Sequence, residues 1–444
     1  LANILTSMKS VETLIHARWV IPVDPSDSTL QNHCVVIDEG RIVAVLPSSE
    51  ARQSFDAQTV LELEQHALIP GLINAHTHVA MNLMRGIADD LELMDWLQNH
   101  IWPAEQKWVN EQFVHDGTQL ATAEMLRGGT TCFNDMYFFP EATARAAANA
   151  GMRVCAGMIL IDFPTAYAAD HEEYFTRGLA LNDEYRHHPL VQCNFAPHAP
   201  YTVSDEPLKK VRVLADELDL QVHMHVHETA SEVNDSLKAT GQRPLQRLND
   251  LGLLSPSLMA VHLAQLNNDD VQLIADNHVN AVHCPESNMK LASGFCPVQR
   301  LLDAGVNVAL GTDGAASNND LDMLGEMRTA ALLAKAVHQD ASSLPAMAAL
   351  RMATLNGAAA LGLADKIGSL EAGKWADITA VDMSAIETQP VYDPVSQLVY
   401  AAGREQVTDV WVAGQHLLNN RQLTQLDIKD VLHRAGEWQA RLST

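Results

Sequence analysis

The chain has 444 residues, 47% of them hydrophobic and 19% charged, which is far too apolar for a disordered tail or a fibrous protein. Its 29 basic residues face 55 acidic ones, a formal net charge of −26. The resulting field repels phosphate backbones and anionic lipid, so nucleic acid and membrane surfaces are poor partners.

At roughly 100–200 residues per domain the length allows two or three domains, or one barrel of about 250 residues with additions. Glu12–Asp24 and Cys34–Leu46 are β-rich, with Asp38-Glu39-Gly40-Arg41 as the turn of a hairpin. Strands are then predicted at Leu72–His78, Thr130–Met136, Arg153–Leu160, Val191–Ala199, Gln221–His227, Leu258–Leu263, Val279–Cys284 and Asn307–Gly311. Helical patterns such as Glu141–Ala150, Pro207–Leu218 and Leu321–Val337 separate them, the alternation of βα units around a parallel sheet. Eight such units predict a closed (β/α)8 TIM-type barrel. The long gap from His78 to Thr130 exceeds one crossover helix and predicts an insertion over the active face.

Strand texture returns at Ala376–Val381 and Thr408–Gly414, so both chain ends are expected to build one small β-sandwich domain, residues 1–68 and 367–444, beside a catalytic barrel, residues 69–366. Leu426–Leu442 reads as an amphipathic helix that could pack on that β-domain or on a partner subunit. Six scattered cysteines with no C-x-x-C pair read as reduced, buried thiols. With no secretory leader and no membrane-spanning window, a cytoplasmic location is expected.

The strongest local signal is Pro70-Gly71-Leu72-Ile73-Asn74-Ala75-His76-Thr77-His78. Residues two apart on a strand share a face, so both imidazoles can reach one point at the strand's C-terminal end. Other predicted strand ends carry His198, His262, His283 and the run His223-Met224-His225-Val226-His227-Glu228, and Asp313 follows the eighth strand between Gly311 and Gly314. Barrel enzymes assemble their sites from several strand ends at one face, so this distribution predicts a catalytic metal centre. Three His and one carboxylate suit Zn²⁺, and Fe²⁺ or Mn²⁺ accept the same donors. Spacing does not choose among His223, His225 and His227, which all project from one face of an ideal strand.

The H-x-H after a Pro-Gly-Leu-Ile strand, a later His-x-x-Glu, a further His and Gly-Thr-Asp-Gly resemble the amidohydrolase superfamily, and within it the 5′-methylthioadenosine/S-adenosylhomocysteine deaminase group. The likeness runs over nearly the whole chain and includes Ala80–Gly86, Trp102-Pro103-Ala104-Glu105, Phe195–Tyr201 and Ser287–Gly294. The resemblance implies one metal bound by His76, His78, His225 and Asp313. It also implies Glu228 as the proton-transferring carboxylate, which singles out His225 on its strand, and His262 as the histidine that orients the attacking hydroxide. Glu105 and His198 match residues that contact the nucleoside, Glu105 through the ribose hydroxyls, while Glu228 and Asp313 also face the ring. Binuclear relatives place a carboxylated lysine at the end of the fourth strand, where this chain has Val191-Gln192-Cys193-Asn194, so a single divalent metal per chain is implied.

The activity implied is hydrolytic deamination of 5′-methylthioadenosine or S-adenosylhomocysteine, with a small nucleoside as partner and a homo-oligomer allowed. A second reading keeps the site and changes the ring to guanine, an oxidised purine, cytosine or an s-triazine. A third is a non-catalytic assembly protein on the same barrel, which would not need four intact metal ligands. Plainer roles also exist: Glu228 orienting a ligand histidine, Glu105 as a helix cap or surface pair, and Met81, Met84, Met94 and Trp96 as core rather than pocket.

Overall fold

The computed structural model describes residues 8–25 and 27–443. The chain opens with β1 (Lys9–Val20), β2 (Leu30–Asp38), β3 (Arg41–Pro47) and β4 (Phe55–Pro70). The first three form an antiparallel meander. Its predicted turn is made by Glu39 and Gly40, both at positive φ, 50° and 72°. β4 then pairs parallel with β1. Its 16 residues escaped the sequence reading because polar side chains occupy most of its exposed first two-thirds.

Eight short strands follow: β5 (Leu72–Thr77), β6 (Thr130–Asp135), β7 (Arg153–Leu160), β8 (Val191–Pro197), β9 (Val222–Val226), β10 (Leu258–His262), β11 (Asn280–His283) and β12 (Val308–Leu310). Each pairs in parallel with the next. Nearly every residue in them is buried, because helices cover the outside of the ring and side chains fill its interior. The ring closes between β12 and β5, where Asp313 N donates to His76 O at 3.0 Å and Thr312 N to Asn74 Oδ1 at 3.0 Å. A Cβ on Gly311 would stand 2.8 Å from His76 N, so only glycine lets the seam come this close.

The predicted helices occur at Pro140–Asn149, Asp205–Leu218 and Met323–His338. The long gap after β5 resolves into two parts. Helix Glu111–Arg127, capped by the Asn110 side chain on Phe113 N at 3.0 Å, is the ordinary barrel helix. The excess lies before it, in the turns Val79–Met84, Leu93–Trp96 and Leu97–Ile101 and the helix Trp102–Trp108.

After the barrel come β13 (Ile378–Asp382), β14 (Val407–Val412), β15 (Gln415–Asn419) and β16 (Gln422–Leu423). β13 pairs with β4, which makes one eight-stranded sheet from both chain ends, in the order β16-β15-β14-β13-β4-β1-β2-β3. Ile15, Val35, Ile37, Leu68, Ile378 and Trp411 share a core on it. A buried fork ties this sheet to the barrel: Arg153 Nε and Nη2 donate to Asp377 at 2.9 and 3.0 Å. The terminal helix Ile428–Leu442 docks on barrel helix Glu111–Arg127, with the Trp438 ring 5.1 Å from Phe113. All six cysteines are free and buried. Among the described residues no helix is long and apolar enough to cross a membrane.

Candidate active site

His76 sits on β5 inside the barrel with no exposed surface, and His78 follows the strand's last residue. Their neighbours fix which ring nitrogen faces inward. His78 Nδ1 donates to the Met136 carbonyl at 2.5 Å, and His225 Nδ1, from β9, to the His198 carbonyl at 2.8 Å. His76 Nδ1 lies 2.8 Å from His223 Nε2. The three Nε2 atoms therefore turn toward one another: His225 Nε2 is 3.2 Å from His76 Nε2, while Asp313 Oδ1 lies 3.4 Å from His76 Nε2 and 3.2 Å from His78 Nε2.

Burial holds the His225 imidazole far below its usual pKa, which leaves its Nε2 a bare lone pair. Burial also pushes the His78 imidazole down, but Asp313 more than offsets this and raises it above its usual value. The Asp313 carboxyl, raised by burial, is brought well below the carboxylate range by His76 and His78. Its Oδ2 accepts from Ser287 Oγ at 2.7 Å and Ser317 Oγ at 2.9 Å, and Gly314 N donates to Oδ1 at 2.7 Å. Tetrahedral ligand atoms bonded at about 2.0–2.2 Å to a zinc-like ion stand roughly 3.3–3.6 Å apart. The spacings and lone-pair directions of this cluster fit such an ion.

Around the cluster opens a cavity of about 760 Å³ lined by His78, Glu105, His198, His225, Glu228, His262 and Asp313. Glu228 stands on the turn after β9 and is 7% exposed, with Oε2 3.9 Å from His262 Nε2. Burial, with Asp313 and Glu232 nearby, raises its carboxyl well above the usual range. Asn288 Nδ2 donates to His262 Nδ1 at 3.0 Å, which leaves the His262 Nε2 proton pointing into the cavity. Both His262 and Asp313 adopt left-handed backbone, φ 76° and 63°, conformations that persist only where packing enforces them. His198, its Nδ1 3.0 Å from Thr202 Oγ1, is pushed by burial to about 3 and is neutral.

The insertion supplies part of the wall, with Leu93, Trp96, Leu97, Ile101, Trp102 and Glu105. Glu105 accepts from Tyr137 OH at 2.7 Å, and its carboxyl is pushed up to about 7 by burial. It faces the cavity and is neither a cap nor a surface pair. Met81 and Trp96 line the cavity and also belong to a core cluster, so pocket and core are the same surface here. Met84 is core only, and Met94 is 37% exposed.

Two sequence expectations change in detail. His223, His225 and His227 do not share a face: the strand ends at Val226, His227 turns to φ 55°, and its Nε2 accepts from Leu245 N at 3.2 Å, away from the cavity. His283 is buried on β11 and does not line the cavity. Gln192, in the strand that carries a lysine in binuclear relatives, donates from Nε2 to the Leu361 carbonyl at 3.1 Å. Sequence reasoning also missed Tyr137 and Ser317, which follow the ends of β6 and β12, and it placed Ser287 and Asn288 in a quoted motif without giving them a role.

Residues 67–417 match the amidohydrolase family. The chain is 50% identical over 438 residues to a 5-methylthioadenosine/S-adenosylhomocysteine deaminase of Saccharophagus degradans, covering 99% of this chain and 98% of that one. It is 44% identical over 415 residues to a protein of the same name from Syntrophobacter fumaroxidans, covering 94% of each. Among solved structures it superposes on an adenosine deaminase from Xanthomonas campestris with bound zinc, at TM-score 0.97 and 53% identity over 98% of this chain and 99% of that one. A zinc complex of atrazine chlorohydrolase from Arthrobacter aurescens superposes at TM-score 0.90 and 25% identity, over 96% and 100%.

Proposed function

The chain belongs to the amidohydrolase family, and on that premise we propose that it hydrolytically deaminates adenosines carrying a 5′-sulfur substituent, 5′-methylthioadenosine and S-adenosylhomocysteine. In this reading residues 69–366 form the catalytic unit. His76, His78 and His225 through Nε2 and Asp313 through Oδ1 would hold one divalent ion, zinc suiting the nitrogen-rich donor set. When bound, such an ion supplies hydroxide at neutral pH.

The chain's own groups do the rest. His262 Nε2–H holds the attacking oxygen in line with the amine-bearing ring carbon. Glu228, protonated, donates to the adjacent ring nitrogen, so attack gives a neutral tetrahedral adduct rather than a ring anion. Asp313 accepts the water proton and delivers it to the amino nitrogen, and as ammonia leaves the hydroxyl proton of the adduct returns to the Glu228 carboxylate, so that the carbonyl forms and both carboxyls regain their starting states. Glu105, steadied by Tyr137, accepts hydrogen bonds from the ribose diol, and His198 adds a second contact to the nucleoside. The acidic chain with its buried thiols suits a cytoplasmic setting.

The observation that carries this reading is the pair of carboxyls that line one cavity, Glu228 on the turn after β9 and Glu105 on the insertion. A free base requires only the first, whereas a nucleoside gives the second a diol to bind. The test is ammonia release from 5′-methylthioadenosine and from guanine, cytosine and an s-triazine, with and without Glu105→Gln, alongside elemental analysis. Turnover of the nucleoside that Glu105→Gln weakens, with about one equivalent of metal per chain from the single four-ligand set, is expected. Turnover of free bases alone would assign a different ring, and a stable, metal-free, inactive chain would favour an assembly role.

A further inference from the structure

We infer that the cavity selects an uncharged 5′ substituent, so that a methylthio group is preferred to a chain ending in an amino-acid zwitterion; this rests on the deaminase reading above and narrows its substrate. Neither lysine nor arginine is among the residues that line the cavity. Its ionisable walls are carboxyls, imidazoles and the phenols of Tyr137 and Tyr201, with Glu105, Glu228 and Asp313 among them. The surface beyond the reacting groups is largely apolar. Leu97, Trp102, Phe138, Ile159, Ile161 and Phe163 line it. Trp102 and Phe163 approach edge to face across it, with ring centroids 6.4 Å apart.

Phe163 is 43% exposed and marks the mouth, the direction a 5′ substituent must take once the ring is held at the histidine cluster and the diol at Glu105. A thioether and a methyl gain from burial against such a wall. A carboxylate there loses water and finds no cation in return.

The neighbouring cavity, of about 390 Å³, shares Leu93, Tyr201 and Glu228 with the first and offers no rescue. It adds Glu232 and Asp235, which repel a carboxylate, and one cation, Arg247. That guanidinium is already committed: Nε donates to Asp205 at 2.8 Å, Nη2 to the Val203 carbonyl at 3.0 Å, and Nη1 to the Pro200 carbonyl.

The test compares kcat/KM for 5′-methylthioadenosine, S-adenosylhomocysteine and an uncharged alkylthioadenosine with a chain as long as that of S-adenosylhomocysteine. The expected result is a fall of roughly 10- to 100-fold for S-adenosylhomocysteine, the range one mismatched group commands in a pocket, with the uncharged long analogue close to the methylthio compound. In Phe163→Arg, a cation at the mouth should raise S-adenosylhomocysteine relative to 5′-methylthioadenosine. Equal turnover of the methylthio and zwitterionic substrates, or an equal fall for the uncharged long analogue, would overturn charge selection while leaving the deaminase reading intact. Release of ammonia from none of the three would remove that reading and the inference with it.

Discussion

At the scale of single residues, the division of labour between Glu228 and the imidazoles is the sharpest consequence of the geometry. Glu228 is not one of the four ligands of the proposed site, and its Oε2 stands 3.9 Å from His262 Nε2. Glu228→Gln should therefore keep about one equivalent of metal, since the four-ligand set is intact, while turnover falls about 10²- to 10⁴-fold as proton transfer is lost. Ammonia release and elemental analysis on one preparation separate the two effects; near-normal turnover would take proton transfer away from Glu228. Strand alternation and strand-end position, which are local facts, brought His76, His78 and Asp313 forward as candidate ligands, whereas the choice of His225 over His223 and His227 came from the family resemblance. The hydrogen bonds that aim these side chains were not readable from the sequence. Met136 stands 58 residues from His78, and Asn288 stands 26 from His262, so nothing near either histidine announces its partner. His227 misled because periodicity assumes a strand that continues, and this one stops at Val226.

At the scale of one element, the turn from β9 into helix Ala230–Thr240 determines where Glu228 stands. Thr229 Oγ1 caps the helix by accepting from Glu232 N at 3.2 Å. Glu232 reaches back, Oε1 accepting from His227 N at 3.0 Å and Oε2 from Glu228 N at 2.8 Å. One carboxyl thus fixes the backbone that carries Glu228, the proton donor of the proposed reaction, which would make Glu232 a positioning residue. Glu232→Gln places an amide NH₂ against one of those backbone N–H groups, donor against donor. The expected outcome is a kcat lower by about 10-fold, the lower end of what orienting groups command, with KM and metal content unchanged. A rise in KM with kcat intact, or loss of metal, would mean that the clamp supports the fold of the pocket rather than the aim of Glu228. The Thr-x-x-Glu spacing is a visible capping signature, but the sequence does not show that its carboxyl lands on the two residues after the strand. The same holds for the insertion: the excess length after β5 was plain, whereas the placing of Glu105 against Tyr137 depends on how the segment folds back.

Across the whole molecule, the far end of the chain secures the wall of the cavity. Trp438 of the terminal helix shares a core cluster with Phe113, Met81, Trp96 and Ile101, and the last three also line the cavity. Asp116 holds this contact: Oδ2 accepts from Trp438 Nε1 at 2.9 Å, and Oδ1 from Arg434 Nη1 at 2.6 Å and Gln112 Nε2 at 2.9 Å. Burial works to raise the Asp116 carboxyl, but the hydrogen bonds from His115, Trp438, Gln112 and Arg434 outweigh it and hold the group far below the usual carboxylate range. An acid whose pKa is depressed by folding stabilises the protein fully above its unfolded pKa, about 3.9 for Asp, and loses that contribution as pH falls toward the folded value. Asp116→Asn should therefore lower stability by about 2 kcal/mol at pH 7, the worth of hydrogen bonds to a charged group, seen as a few degrees in the melting temperature. Melting both proteins from pH 7 down to about pH 2 provides the check, since the gap between them must begin to close only near and below the unfolded pKa of about 4. A gap that stays constant with pH would assign the loss to packing alone. Because Trp438 lies 322 residues from Asp116, the amphipathic pattern of the terminal helix could be read without its docking site. The partner becomes visible only once the barrel has brought helix Glu111–Arg127 to the surface where the chain ends, so that one carboxylate couples the C-terminal helix to the substrate cavity.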